Sequence, residues 1–284
     1  SLAGNTTLFD TTDNANSRSV ATPVDRHGVS IDAATGAISF TPSANANGTA
    51  KVTVVLKDDD GTANGGIDTS KTHTFTITVN PVNDNPTFAL AGTVTVNEDS
   101  GAYSSAAYAT GITPGGGTDE LGQPLSFTLT GFDRNLFAVA PAISSDGKLT
   151  FTPAADVFGS TNVNVALSDG TNTVTGTFQI VIQPVNDAPS FTAGANQQAL
   201  QNAKAQTVAG WATNLNRGPA NESTQTLSFT VTNDNNALFT KGGQPAISST
   251  GVLTYTPAPN AYGKANVTVT LMDNGGTANG GVNR

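Results

Sequence analysis

The chain has no cysteine among its 284 residues. This excludes disulfide staples, thiolate metal sites and a thiol nucleophile, so stability has to come from packing, aided at most by a hard cation. Basic residues are also few: 12 Lys and Arg stand against 21 Asp and Glu, for a net charge of −9. Nucleic acid is not an expected partner, because binding it needs clustered Lys and Arg to displace counterions. No run approaches the ~20 consecutive apolar residues that span a bilayer, and no basic stretch leads into an apolar one. The segment is therefore expected to be soluble, without membrane insertion, with any targeting sequence lying outside it. Lys, Glu and Leu are sparse while Thr, Asn, Ala, Gly and Val abound, which disfavours long amphipathic helices and favours short strands with tight turns.

What the sequence does contain is a repeat. Pro81-Val82-Asn83-Asp84-Asn85-Pro86 returns as Pro184-Val185-Asn186-Asp187-Ala188-Pro189, and each word is followed by a phenylalanine, Phe88 and Phe191. Pro86 and Pro189 stand 103 residues apart. A second word follows the same rhythm: Ile38-Ser39-Phe40-Thr41-Pro42, Leu149-Thr150-Phe151-Thr152-Pro153 and Leu253-Thr254-Tyr255-Thr256-Pro257. Each leads into alternating apolar residues, namely Val52, Val54 and Leu56, then Val163, Val165 and Leu167, then Val267, Val269 and Leu271. Alternation at every second position predicts strands with one buried face. Further sets, Leu125-Phe127-Leu129, Leu227-Phe229-Val231, Phe75-Ile77-Val79 and Phe178-Ile180-Ile182, add strands to each repeat. Asn, Asp, Gly and Pro supply the turns between them.

The expected fold class is all-β: tandem antiparallel β-sandwiches in an elongated array, with repeats at 1–86, 87–189 and 190–284. By alignment of the words, the first repeat lacks its opening strand and the third lacks its last strand. A fragment of a longer protein accounts for this. So does strand exchange between identical subunits arranged head to tail, since an unpaired edge is a template for strand addition.

These words resemble the cadherin-like or immunoglobulin-like tandem repeats of large bacterial surface adhesins. The resemblance rests on Pro184 to Phe191, Asn97-Glu98-Asp99, Gly210-Trp211-Ala212-Thr213, Gln225-Thr226-Leu227-Ser228-Phe229 and Asp273-Asn274-Gly275-Gly276-Thr277-Ala278-Asn279-Gly280-Gly281. It implies an extracellular, cell-surface location and a spacer or stalk in which each repeat's partner is its neighbour. It also implies Ca²⁺ at the junctions, on Asn83, Asp84 and Asp169 at the first and on Glu98, Asp99, Asn186 and Asp187 at the second. The sequence departs from true cadherins in having Pro-Ser or Pro-Ala where they carry Asp-Arg-Glu, and in having Gln201-Asn202-Ala203 where the second repeat has Asn97-Glu98-Asp99. Asx turns that set the junction angle are the alternative reading of the Asn-Asp words.

Catalytic chemistry has little footing. His27 and His73, the two histidines, do not recur between repeats, and no serine is oriented toward either. Asp119 and Glu120 are adjacent and expected to point apart, which gives no glycosidase pair. The Asp58-Asp59-Asp60-Gly61 run lacks EF-hand spacing, so it and its counterparts at Asp169 and Asp273 are expected to be tight turns with a solvated acidic rim. Trp211 sits among apolar residues and is expected in a core rather than as a sugar platform. Asn5, Asn47, Asn221 and Asn266 carry glycosylation spacing. The expected function is thus a non-catalytic spacer, with two alternatives: a filament subunit joined by strand exchange, and a carbohydrate-binding module for a surface glycan or host ligand.

Overall fold

Segments with apolar-polar alternation form the strands, and the Asn-, Asp- and Gly-rich words between them form the turns. The computed structural model describes residues 29–32, 35–58 and 61–284, and these contain strands and short 3-10 turns with no α-helix. The first repeat holds β1 (Val29–Ile31), β2 (Ile38–Phe40), β3 (Gly48–Val54) and β4 (His73–Val79). The second holds β5 (Thr87–Leu90), β6 (Val94–Asn97), β7 (Tyr103–Ser105), β8 (Ala109–Thr113), β9 (Ser126–Thr130), β10 (Phe137–Ile143), β11 (Leu149–Pro153), β12 (Gly159–Ser168) and β13 (Thr173–Gln183). The third holds β14 (Ser190–Ala193), β15 (Gln206–Val208), β16 (Ala212–Asn216), β17 (Ser228–Asn233), β18 (Ala246–Ile247), β19 (Leu253–Tyr255) and β20 (Val267–Met272).

In the second repeat a four-stranded sheet, in the order β6-β13-β12-β9, shares its core with a three-stranded sheet, β10-β11-β7, and with the pair β5-β8. The β12/β13 hairpin runs in antiparallel register from Ser168↔Thr173 to Gly159↔Ile182, and β6 joins β13 in parallel. Val163, Val165, Ile180 and Ile182 of this sheet are buried against Leu149 and Phe151 of the other. Full burial of side chains of this size stabilises by ~1.5–3 kcal/mol each. Phe88, just past the junction word, packs edge-on against Phe127 at 5.5 Å, and Phe191 does the same against Phe229 at 5.2 Å. Each linker is thereby fixed to the core of the sandwich it enters.

The outer repeats depart from this pattern where a partner strand is missing among the described residues. The alternation predicts that Leu56 is buried, like Leu167 and Leu271. Instead β3 ends at Val54 and Leu56 is 72% exposed. Leu167 and Leu271 pair with Phe127 of β9 and Phe229 of β17, and the described part of the first repeat has no counterpart of β9. In the third repeat β20 pairs with β17 only, and Val267 is exposed where Val163 of β12, flanked on both sides, is buried. Residues 197–200, the counterpart of β6, form no strand, since the partner of β6 is β13.

Candidate metal centre

Each junction word is gripped by the sandwich that follows it. The Asp84 N–H donates to Glu120 Oε1 at 2.5 Å, and the Asp187 N–H donates to Glu222 Oε1 at 2.9 Å. Asn83 Nδ2 donates to Asp169 Oδ2 at 3.1 Å, and Asn186 Nδ2 to Asp273 Oδ1 at 3.0 Å. Gln123 and Gln225 donate to the Oδ1 atoms of the same two asparagines. This frame of Asn, Asp, Glu, Gln and Asp is thus built twice. Glu120 and Glu222 fold inward because their loops carry Gly115 and Gly218, both at positive φ, where any side chain would collide with the glutamate's Oε2.

The second junction adds acids from the preceding sandwich. Glu98, at the end of β6, is almost fully buried and accepts the Val185 N–H on Oε1 and the Asn221 amide on Oε2. Asp99 and Asp156 both adopt positive φ, and the Asp156 N–H donates to Asp99 Oδ1 at 3.2 Å. Carboxylate oxygens of Asp99, Asp156 and Asp187 lie within 4.8 Å of one another. One linker residue and two acids of the preceding sandwich thus meet at a point, beside Glu222 of the following sandwich.

Burial raises the pKa of Glu98, with the charges of Asp99, Asp187 and Asp156 adding to the effect against the opposing Val185 N–H. Burial likewise raises Asp187, supported by Asp99 and Asp156, and Glu222, where Asp187 and Asp273 contribute. Asp169 goes the other way, held below the usual carboxylate range chiefly by the Asn172 N–H. Among the described residues no Lys or Arg forms an ion pair with this cluster. Glu222 Oε2, Asp187 Oδ2 and Asp273 Oδ2 are buried without a hydrogen-bond donor, as is Glu120 Oε2 at the first junction. Buried carboxylate oxygens left unpaired are costly. A hard cation that takes about six to eight oxygen ligands, such as Ca²⁺, fits this donor set.

Asn83, Asp84 and Asp169 lie at the first junction, and Glu98, Asp99, Asn186 and Asp187 at the second. Asn83, Asn186 and Asp169 have their side-chain oxygens engaged by protein donors, so they brace the linkers; Asp99 and Asp187 face the cluster, and Glu98, whose oxygens also accept protein donors, adds its charge beside it. The expectation of a solvated acidic rim is corrected at Asp169 and Asp273, which are 3% and 6% exposed and accept N–H groups of their own turns. In the run itself Asp58 is exposed, and Asp59 and Asp60 lie outside the described residues. Glu120 and Glu222 are likewise buried, although acids on loops are usually solvated. The shared spacing of Glu120-x-x-Gln123-x-Leu125 and Glu222-x-x-Gln225-x-Leu227 was the available signal for them. Asp156 was legible too, three residues past Pro153 of the Thr-Pro word.

The end of the third repeat has the same shape without the charge. The structure shifts the sequence alignment of this word by one residue: Gln201, Asn202 and Asn260 occupy the places of Glu98, Asp99 and Asp156, since Asn202 and Asn260 share the positive φ of Asp99 and Asp156 and the Asn260 N–H donates to Asn202 Oδ1 at 2.8 Å. Trp211 is half-buried against the third core, with its indole N–H bonded to the Ala195 carbonyl. His73 opens β4 on the surface. His27 and Asn5 lie outside the described residues. Asn221, one of the glycosylation-spaced asparagines, uses its amide on Glu98.

No family model matches the sequence, and no curated protein matches it. Among solved structures, mouse protocadherin-24 EC1-3 is similar to this chain at 12% identity and a TM-score of 0.38, covering 89% of this chain and 87% of its own. Human protocadherin-24 EC1-2 gives 17% identity and 0.37, covering 70% and 91%. A SusE-like surface located polysaccharide binding protein of Bacteroides thetaiotaomicron gives 14% and 0.29, covering 87% of this chain and 40% of its own. The all-β description rests on the strand pairing itself.

Proposed function

We propose that this chain is a non-catalytic spacer segment of an extracellular, adhesin-like surface protein, in which Ca²⁺ at the junctions fixes one sandwich against the next. The observation that carries the reading is the meeting of Asp99, Asp156 and Asp187 at the second junction, next to buried and unpaired oxygens of Glu222 and Asp273. Glu98, Asp99, Asp156, Asp187 and Glu222 are the residues that would hold the ion. Its charge would offset repulsion between carboxylates from two sandwiches and so couple their orientation. Thermal unfolding in calcium and in excess chelator tests this. A cation at 100 times its Kd stabilises by about 2.7 kcal/mol, so a clear rise in the midpoint is expected; equal midpoints would remove the calcium reading.

A second reading, glycan binding, is favoured by exposed aromatics at one repeat position, Phe158 and Tyr262, each preceding the glycine after the Thr-Pro word. Titration with polysaccharides, comparing the chain with its Tyr262→Ala variant, tests it; absence of binding to both ends that reading.

A further inference from the structure

The turns that face the two junctions differ in kind. In the second repeat four residues, Asp169–Asn172, close the β12/β13 hairpin. In the third, the chain leaving β20 makes a wider loop from Asp273 through a 3-10 turn at Ala278–Gly280. That loop lies across the second junction. Asn279 Nδ2 donates to the Pro184 carbonyl at 2.9 Å, and the Asn279 carbonyl accepts from Asn97 Nδ2 of the preceding sandwich at 2.9 Å. The Val282 N–H donates to the Asn186 carbonyl at 2.7 Å, and Asn186 Nδ2 donates back to the Val282 carbonyl at 2.7 Å. Gly275 is required for the fit, because a side chain there would collide with the Asn186 amide.

The loop's shape is encoded in its own sequence. The first repeat has the same Gly-Thr-Ala-Asn-Gly-Gly word at Gly61–Gly66, with Asn64 at φ 58° where Asn279 has 57°. The Gly66 N–H closes on the Ala63 carbonyl at 3.1 Å, as the Gly281 N–H does on Ala278 at 2.9 Å. A preformed loop loses little conformational freedom when it docks.

We infer that the Gly275–Val282 loop is a clasp: a polar docking surface whose partner is the end of the preceding sandwich, read through the Asn97 amide and the Pro184 carbonyl. It holds the second and third sandwiches in one orientation without a cation. The first junction is closed by the four-residue turn; there the Asn45 turn of the first sandwich packs against Gly116 and Gly117 of the second, with no counterpart of the Asn279–Asn97 hydrogen bond among the described residues. That junction is therefore the looser of the two, and on the calcium reading a cation would stiffen it, whereas the clasp does not rest on that reading.

The absence of cysteine makes the test direct, since pairs of introduced cysteines can carry spin labels. Lys51→Cys with Thr175→Cys spans the first junction, and Thr175→Cys with Ser228→Cys spans the second; all three positions are exposed. In excess chelator, pulsed dipolar spectroscopy is expected to show a narrow distance peak across the second junction and a broad one across the first. Asn279→Gly, which tolerates the positive φ, and Asn97→Ala are each expected to lose the narrow peak while circular dichroism stays unchanged. A broad second-junction peak in the parent chain, or a narrow one surviving in both variants, would overturn the clasp. A narrow first-junction peak in chelator, with no calcium heat by calorimetry, would overturn the calcium reading alone.

Discussion

Glu222 has one oxygen on the Asp187 N–H and the other buried with no donor. A glutamine there keeps the acceptor and supplies a donor while removing the charge. Glu222→Gln is therefore expected to raise the midpoint in chelator at neutral pH, by on the order of 1 kcal/mol for relief of an unsatisfied buried group, and to shrink the calcium gain. Differential scanning calorimetry with and without calcium checks both. The pH dependence follows from the same residues. Glu98, Asp187 and Glu222 have folded-state pKa values raised above their unfolded values. Their stabilising contribution is present below the unfolded values of about 3.9–4.3 and is lost as pH rises through the folded ones. Asp169 and Asp234, lowered by N–H donors, act oppositely and lose their contribution at the acid end. In chelator the midpoint is thus expected to peak on the acid side and fall toward neutrality. Calcium, which binds the charged carboxylates, moves the peak upward in pH. A curve in chelator that rises steadily to neutrality would contradict the assignment.

At the scale of strands, one repeat position gives two opposite expectations. Leu167→Ala empties a site that is 0% exposed and is expected to cost about 2–5 kcal/mol, whereas Leu56→Ala, at a site 72% exposed, is expected to stay within about 0.5 kcal/mol. Denaturant unfolding of the two variants measures the difference. The contrast also marks how far the sequence could be read. Period-two alternation located the strands through Val163, Phe178 and Ile180, because a strand's inward face is a local property. It could not tell Leu56 from Leu167, since burial there depends on whether a third strand lies alongside, a non-local fact. The candidate centre divides in the same way. Asp84 and Asp187 stood out in the recurring junction word, and Glu98 and Asp99 stood in the word that the family resemblance singled out. Glu120 and Glu222 did not, because what turns them inward is a glycine a few residues upstream and an N–H donor on a distant linker.

For the molecule as a whole, −9 of net charge with acids gathered at a junction makes the array responsive to the ionic medium. Small-angle scattering is expected to show a better-defined maximum dimension in calcium than in chelator. Magnesium, which prefers strict octahedral geometry and retains its waters, is expected to be a poor substitute. Equal profiles in all three conditions would contradict a junction that reads calcium. The difference between the four-residue turn at Asp169–Asn172 and the wide loop at Gly275–Val282 has a mechanical consequence. Compliance concentrates at the first joint, so the second and third sandwiches swing together as one lever arm. Thermal motion at that hinge then sweeps the far end along an arc whose radius is two sandwiches rather than one, and a pulling force straightens the hinge before it strains either core.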